Sequence, residues 1–445
     1  MSGRETVQAL LRLINTASED AMKAYEQHGE VPALDSTSKH PLDVAEDAVA
    51  LRKAVRILEG ACEQLCDLLA PPAHTVINRA QALDWACIKV AIEARIADIL
   101  SEHPEGLHID ELASLAQIDS QKLAHVLRLL ATVNIFKEVK PDVFANNRIS
   151  VYLQSNDGIS ALAYCQSEYG PRAGVNLFRD FKDPETANSW DPTKSPFMTT
   201  MAADGVKGTF FNWLIANPAK RAIFGRAMLG LGNVMNSLAI LHHYPWSSIK
   251  TVCDVGSGVG AFSLPLAKMF PHLKITLFDL EATVAQAKEH WKQEFPEAVQ
   301  ESRVDFIAGD FFETLPATDQ DVYYLRNIIH NWPDAEALKI MTTVRAAMGK
   351  NSRLLIHDYV LSHVKQTPLE HTQVETAPSP LLPNFGAGGI RSYNQDLTML
   401  IMYNAKERNL DEFVAFASGL GLRLEKVWDL AEAAVLELMV ADSNN

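Results

Sequence analysis

From residue 249 onward, short apolar segments of strand-like length alternate with segments of helical periodicity. The strand-like segments are TVCDVG, KITLFDL, RVDFIAGD, DVYYLRNIIH and RLLIHDYVL. This alternation predicts a parallel sheet covered by helices on both faces, because parallel strands need a crossover that is usually a helix. We therefore expect an α/β fold class with a Rossmann-like, doubly wound sheet.

The last two strand-like segments, LRLEKVWDL and AVLELMVAD, are separated by only a few residues. A parallel crossover needs about a dozen residues or more, so these segments cannot both join the sheet in parallel. They predict a terminal antiparallel hairpin at the sheet.

The chain before the sheet is predicted to be mostly helical. We expect an N-terminal helical extension over residues 1–72 and a winged-helix domain over residues 73–180, with IFKEVKPDVFAN as a two-strand wing. Residues 181–445 then contain linking helices and the sheet. A winged helix can read DNA. Residues 101–150, however, carry five Lys or Arg against seven Asp or Glu, which favours packing on another protein.

Composition limits the partners and the compartment. A formal net charge of −15 argues against nucleic acid as the main partner, because phosphate binding needs a basic surface. The five cysteines lack the paired spacing of a metal site, so no metal is expected, and they suggest a reducing compartment. Neither a signal peptide nor a membrane span is recognisable, which predicts a cytoplasmic protein with no membrane partner.

A glycine loop follows the first strand of the sheet. In VCDVGSGVGAF, glycines Gly256, Gly258 and Gly260 would let a ligand approach the backbone and permit a tight turn into the next helix. Asp279 ends the following strand, where an acid can accept hydrogen bonds from both ribose hydroxyls. Alternative interpretations are a tight turn without a ligand for the loop and a helix cap for Asp279.

The third strand ends in AGDFFE, which places Asp310 and Phe311 at the same carboxyl edge. A carboxylate there can bind the amine of an adenine, and an aromatic ring can pack on its face. The spacing of the loop is GxGxG, whereas nicotinamide enzymes have GxGxxG. Together with the terminal hairpin, this spacing favours S-adenosylmethionine as the cofactor.

The stretches DVGSGVGAF, LFDL, AGDFFE, LRNIIHNWPD, IHDYVL and NAKERNLDEF, in this order, carry a family resemblance. From about residue 75 to its end, the chain resembles the S-adenosylmethionine-dependent O-methyltransferases of the plant caffeic-acid and fungal secondary-metabolite type. The winged-helix unit resembles the dimerisation domain of that family. The resemblance implies a homodimer, an aromatic, polyketide-like substrate and transfer of a methyl group to its hydroxyl.

The resemblance also implies catalytic residues. The family histidine that takes the proton from the substrate hydroxyl is His330 here, and two flanking carboxylates correspond to Asp358 and Glu407. They would orient the imidazole and stabilise its charged form. This sequence departs from the family in having Asn331 where HDW has its acid, and Asp358 where plant enzymes have the longer Glu. For His330, a structural role at a helix start is the alternative interpretation.

The other implied residues surround the cofactor and the substrate. For the cofactor they are Gly256, Asp279, Leu280, Asp310, Phe311 and Arg326. For the substrate they are Met228, Met399, Met402 and Asn404, of which the methionines would form a deformable apolar slot for a flat ring. Plain core packing is the alternative for these methionines. The proline- and glycine-rich stretch 364–389 is longer than in plant enzymes and predicts a loop near the pocket mouth.

Two competing functions stay open. Some fungal relatives of this fold keep S-adenosylmethionine but catalyse pericyclic reactions without transferring the methyl group, and they need no base beside the sulfonium. The presence of His330, Asp358 and Glu407 favours methyl transfer. The second alternative, a winged-helix regulator that senses a small ligand, is disfavoured by the acidic charge balance.

Overall fold

The computed structural model describes residues 1–202, 204–365 and 374–441. The chain divides into two compact units. The sheet unit consists of Met1–Ile14, Arg52–Ala61 and Met235–Asn445, and the helical unit consists of Asn15–Leu51 and Cys62–Val234. The expected domain limits at residues 72 and 180 stay a prediction.

The described chain up to residue 234 is mainly helical, as predicted. Its α-helices are α1 (Gly3–Glu26), α2 (Val49–Leu69), α3 (Pro72–Ala80), α4 (Asp84–Glu93), α5 (Ile96–Ser101), α6 (Ile109–Ala116), α7 (Ser120–Thr132), α8 (Gly158–Gly174), α9 (Leu177–Asp180), α10 (Pro196–Ala202), α11 (Phe210–Ala216) and α12 (Pro218–Val234). Three short strands accompany them: β1 (Leu107–His108), β2 (Lys137–Lys140) and β3 (Val143–Ala145).

The winged-helix arrangement is confirmed in the helical unit. Strands β2 and β3 pair antiparallel as the wing, and β1 joins them in the order β1-β3-β2. Helix α7 begins where the Asp119 side chain accepts a hydrogen bond from the Lys122 N–H. Its apolar stripe, with Leu123 and Leu127, is fully buried in the same cluster as Phe144 of the wing.

The sheet unit contains the predicted α/β sheet. Its strands are β4 (Thr251–Val255), β5 (Lys274–Asp279), β6 (Val304–Ala308), β7 (Val322–Arg326), β8 (Arg353–Asp358), β9 (Val360–Leu361), β10 (Arg408–Asn409), β11 (Leu422–Asp429) and β12 (Ala434–Val440). Its helices are α13 (Ile240–His243), α14 (Ser263–Met269), α15 (Glu281–Glu294), α16 (Pro296–Gln300), α17 (Asp334–Ala347), α18 (Ile390–Tyr403) and α19 (Leu410–Gly419).

Seven strands form the main sheet in the order β11-β12-β8-β7-β4-β5-β6. Strands β4 to β8 are all parallel, whereas β12 pairs antiparallel with β8 and with β11, so the predicted terminal hairpin is confirmed. The chain leaves β4 toward β5 and later returns to its other side as β7. The carboxyl ends of β4 and β7 therefore meet at the switch point, where sheets of this kind bind ligands.

Both faces of the central strands are buried, which explains their nearly continuous apolar sequences. On one face, Tyr323 and Leu354 belong to a core cluster with Ile340 of α17 and Phe413 of α19. On β7 the next residue, Tyr324, stacks on Phe262 with ring centroids 3.8 Å apart. Packing on both faces holds the strand ends in fixed positions, and the candidate site is built on those ends.

Part of helix α2 packs within the sheet unit through glycine contacts. A Cβ atom on Gly60 would lie 2.2 Å from the Phe385 carbonyl oxygen, and one on Gly388 would lie 1.8 Å from the Arg56 carbonyl oxygen. Both backbones can approach this closely only because glycine stands at these positions. Arg56 also places its guanidinium 3.9 Å from the ring centroid of Phe385. Residues 52–61 are therefore an integral part of the sheet unit.

Across residues 1–202, 204–365 and 374–441, none of the helices combines the length and the hydrophobicity that a bilayer span requires.

Candidate active site

The glycine loop between β4 and α14 has a backbone that only glycine adopts easily. Gly256, Gly258 and Gly260 have φ values of +73°, +57° and +89°. A Cβ atom on Gly256 would lie 2.4 Å from Cδ1 of Ile328, whereas one on Gly258 would meet no atom within 4 Å. The loop is thus crowded at its first glycine and open at its second, where a ligand can approach the backbone.

Asp279, at the end of β5, holds this loop in place. Its two carboxylate oxygens accept hydrogen bonds from the N–H groups of Gly258 (2.8 Å) and Leu280 (2.7 Å). Burial raises the pKa of Asp279, and these two hydrogen bonds oppose the shift. The Thr283 side chain also contacts the carboxylate, whose two oxygens have about four acceptor sites in all, so it can still accept a hydrogen bond from a ribose hydroxyl. A simple helix cap does not describe these contacts, because one donor lies in the glycine loop.

The two residues predicted after the third strand are Asp310, which fixes a turn, and Phe311, which lies beside the same loop. The Asp310 carboxylate accepts a hydrogen bond from the Phe312 N–H at 2.8 Å, which fixes the turn after β6. Phe311 is partly buried, and a Cβ atom on Gly256 would lie 3.7 Å from its Cε1. The aromatic edge of Phe311 therefore lies next to the loop and the acid directly precedes it in the chain, an arrangement that could hold an adenine ring.

Leu280 and Arg326 complete the predicted cofactor residues. Leu280 follows Asp279 with its side chain 58% exposed, so an apolar surface is available at this polar edge. Arg326 ends β7 in register with His357 of β8. Burial and the charge of Arg326 lower the pKa of His357 to about 3, which keeps that imidazole neutral beside the Tyr324 hydroxyl, 2.6 Å away.

These groups fit S-adenosylmethionine. The open space beside Gly258 can receive the amino-acid part of that molecule. The carboxylates that follow two neighbouring strands can bind its ribose and its adenine, and the exposed Leu280 offers an apolar surface beside them. Gly256, Asp279 and Asp310 would therefore hold the cofactor along one edge of the sheet.

His330 lies at the same edge, in a short helical turn between β7 and α17. Its side chain is 4% exposed, and its Nδ1 lies 2.7 Å from Oε1 of Glu407, whose side chain is fully buried. Nε2 of His330 has no hydrogen-bond partner among the described residues. One ring nitrogen is thus held by a carboxylate and the other is available. The backbone N–H of Glu407 donates to Asp396 of α18 at 2.9 Å, a supporting contact that the sequence did not predict.

Asp358, the other predicted carboxylate, is buried at the end of β8 but makes no hydrogen bond with His330. Its Oδ1 accepts from the Asn327 N–H at 3.0 Å, and its Oδ2 has no hydrogen-bond partner within the described structure. The structure therefore brings Asp358 close enough to act on the imidazole through its charge, while Glu407 alone orients the ring.

The charges around His330 change its basicity. Burial alone would lower the pKa of His330, but the negative charges of Glu407 and Asp358 and the hydrogen bond to Glu407 raise it to about 9. The ordinary histidine value of about 6.5 does not apply, so the imidazole is mostly protonated at neutral pH. Burial likewise raises the pKa of Asp358 to about 7, although the positive His330 opposes that shift.

The predicted substrate residues fall in both units. Met399 and Met402 are buried on α18, and Asn404 ends this helix with a φ of +52°. Met228 lies on α12 of the helical unit, where it is 36% exposed. The predicted loop 364–389 is only partly covered, because residues 366–373 lie outside the described residues.

A sheet of this order with a glycine loop and two acids at its carboxyl edge defines an S-adenosylmethionine-dependent methyltransferase fold. The chain belongs to the O-methyltransferase family: the O-methyltransferase domain matches residues 193–423, and the O-methyltransferase dimerisation domain matches residues 81–156. It is therefore an S-adenosylmethionine-dependent O-methyltransferase that acts on a small molecule. Its dimerisation domain indicates a homodimer.

Similar proteins support the same class. The chain is 39% identical to 3-O-methyltransferase 2 of Phanerochaete chrysosporium over 96% of each chain. It is 32% identical to O-methyltransferase tpcA of Aspergillus fumigatus over 88% of each chain. Among solved structures, mitomycin 7-O-methyltransferase MmcR is 25% identical with a TM-score of 0.66, covering 83% of this chain and 98% of its own.

One further solved structure shares the fold but is described as a pericyclic reaction enzyme. It is 19% identical with a TM-score of 0.67, covering 87% of this chain and 94% of its own. At this identity the likeness shows the fold alone.

Proposed function

We propose that this enzyme methylates a phenolic or enolic hydroxyl of an aromatic, polyketide-like fungal metabolite, with His330 as the general base. The observation that carries the proposal is the buried pair in which Glu407 holds Nδ1 of His330 and leaves Nε2 available. The fungal relatives support transfer to an oxygen, and the name of one specifies a 3-oxygen, whereas the aromatic, polyketide-like class of substrate comes from the family resemblance.

The chemistry needs a positioned oxygen and an acceptor for its proton. S-adenosylmethionine, when bound, supplies a methyl group on a sulfonium and leaves as S-adenosylhomocysteine. Nε2 of His330 takes the hydroxyl proton as the new oxygen–carbon bond forms, and Glu407 stabilises the resulting imidazolium. A raised pKa suits this role, because it brings His330 close to the pKa of a phenol, about 10, and makes proton transfer nearly balanced.

A pericyclic reaction without methyl transfer is the second candidate, and the solved pericyclic neighbour shows that the fold accommodates it. Such a reaction has no need of a base beside the sulfonium. The His330–Glu407 pair argues for methyl transfer, because Glu407 holds Nδ1 of the imidazole and leaves Nε2 available as a proton acceptor, which only the transfer reaction needs.

Turnover with methyl-labelled S-adenosylmethionine tests the proposal. A panel of phenolic polyketides with hydroxyls at different ring positions is incubated with the enzyme, and labelled product and S-adenosylhomocysteine are measured together. We expect label in one regioisomer and an equal amount of S-adenosylhomocysteine. Consumption of an aromatic substrate with the cofactor intact would instead support the pericyclic candidate.

The activity should also depend on pH in a defined direction. Because the base must be neutral, kcat/KM is expected to rise about tenfold per pH unit below the pKa of His330, near 9, and to level off above it. Initial rates from pH 6 to 10, with circular dichroism to verify folding at each pH, measure this limb. A flat profile between pH 7 and 9 would contradict a base with a raised pKa.

A further inference from the structure

Arg408 follows Glu407 directly and contacts the backbone on both sides of His330. Its side chain is fully buried. Nη1 donates to the carbonyl oxygen of Ile329 at 3.1 Å, and Nη2 donates to that of Trp332 at 2.9 Å. Nε and Nη2 also donate to the Asp334 carboxylate at 3.1 and 2.8 Å. These hydrogen bonds thus fix the position of the turn that carries the imidazole.

The residue directly before Arg408 orients the ring itself. Glu407 contacts Nδ1 of His330, and Arg408 begins β10, which pairs in parallel with Val360 of β9. Strand β9 begins two residues after Asp358. The segment Glu407–Arg408 therefore joins the ring, the turn that carries the ring and the strand that follows the second carboxylate in the chain.

The contacts of Arg408 need a guanidinium in particular. Its planar fork reaches two carbonyl oxygens and a carboxylate at once, and its Cζ lies over Phe416, 5.2 Å from the ring centroid. A lysine ammonium keeps the charge but cannot reach all of these acceptors at once. At least one buried carbonyl of the His330 turn would then lose its donor.

We propose that Arg408 is a positioning residue for methyl transfer, which acts by holding the turn that places Nε2 of His330 against the substrate hydroxyl. This proposal rests on the proposed function, in which His330 is the base. Because a displacement of about 1 Å in a reacting group can cost roughly a hundredfold in rate, the loss should appear in kcat.

The test is a double-mutant cycle with R408K and H330A. We expect R408K to lower kcat about tenfold to a hundredfold in the normal enzyme and less than about twofold in the H330A background, with unchanged affinity for S-adenosylmethionine by calorimetry. D334A removes the exposed outer acceptor of Arg408 but leaves its two bonds to the His330 turn, and it should give a smaller loss of kcat in the same direction. The matched control is R423K, because Arg423 is an exposed arginine whose ion pair is with Glu425.

A spectroscopic measurement separates positioning from general destabilisation. The proton on Nδ1 of His330 should give a downfield NMR signal that disappears in H330A, and R408K should shift this signal upfield. Equal kcat losses in both backgrounds with an unmoved signal would overturn this proposal alone. Near-normal turnover by H330A would overturn the proposed base, and the proposal for Arg408 with it.

Discussion

Replacing His330 with alanine should lower kcat by roughly a hundredfold to ten-thousandfold, the usual scale for losing a general base. The substitution removes Nε2, the ring nitrogen of His330 that has no hydrogen-bond partner among the described residues, and the proton of the hydroxyl then has to leave to water. Binding of S-adenosylmethionine should persist, because the glycine loop and Asp279 contact each other and not His330. Single-turnover rates and calorimetry measure the two effects separately.

His243→Ala is the matched control. This histidine is exposed at the end of α13, so its replacement is expected to leave kcat and cofactor binding unchanged. Thermal unfolding of both variants shows whether folding is preserved. If His330→Ala turns over near the normal rate while folded and loaded with cofactor, another group takes the proton and the mechanism proposed above is wrong.

The strands and their ends could be predicted from sequence because they follow from local periodicity. The parallel sheet and the terminal hairpin follow from segment spacing, which limits how strands can connect. Asp279 and Asp310 could be placed at one edge because parallel strands end together there. Burial on both faces made these segments continuously apolar and therefore easy to recognise.

The arrangement within the site could not be predicted, because it depends on side-chain reach and long-range contacts. The family resemblance named both Asp358 and Glu407 but could not show that only Glu407 hydrogen-bonds to His330. The raised pKa of His330 likewise depends on the negative charges of Glu407 and Asp358, which lie far from it in the sequence. The role of Arg408 depends on backbone carbonyls about 80 residues earlier in the chain. No pattern in the sequence around Arg408 indicates these contacts.

The unequal geometry of the two carboxylates predicts unequal effects of the same chemical change. Glu407→Gln should lower kcat by about a hundredfold or more, because it removes the charge that stabilises the imidazolium. In one of its two orientations, the amide would also donate to Nδ1 and move the ring proton to Nε2, where it blocks proton transfer. Asp358→Asn keeps the acceptor for the Asn327 N–H. It should lower kcat on the high-pH plateau only about tenfold, which corresponds to a fall of about one unit in the pKa of His330.

The two isosteric variants serve as each other's controls, since each replaces one buried carboxylate oxygen with an amide nitrogen. Both remove a negative charge that raises the pKa of His330, so both should move the rising limb of the pH–rate profile to lower pH. The pH at which the rising limb lies thus measures the electrostatic effect that both variants share. The value of kcat on the plateau measures how well the imidazole of His330 is oriented. Equal plateau losses, or a larger loss for Asp358→Asn, would mean that Asp358 and not Glu407 orients the imidazole during the reaction, and that the ring turns when the substrate binds.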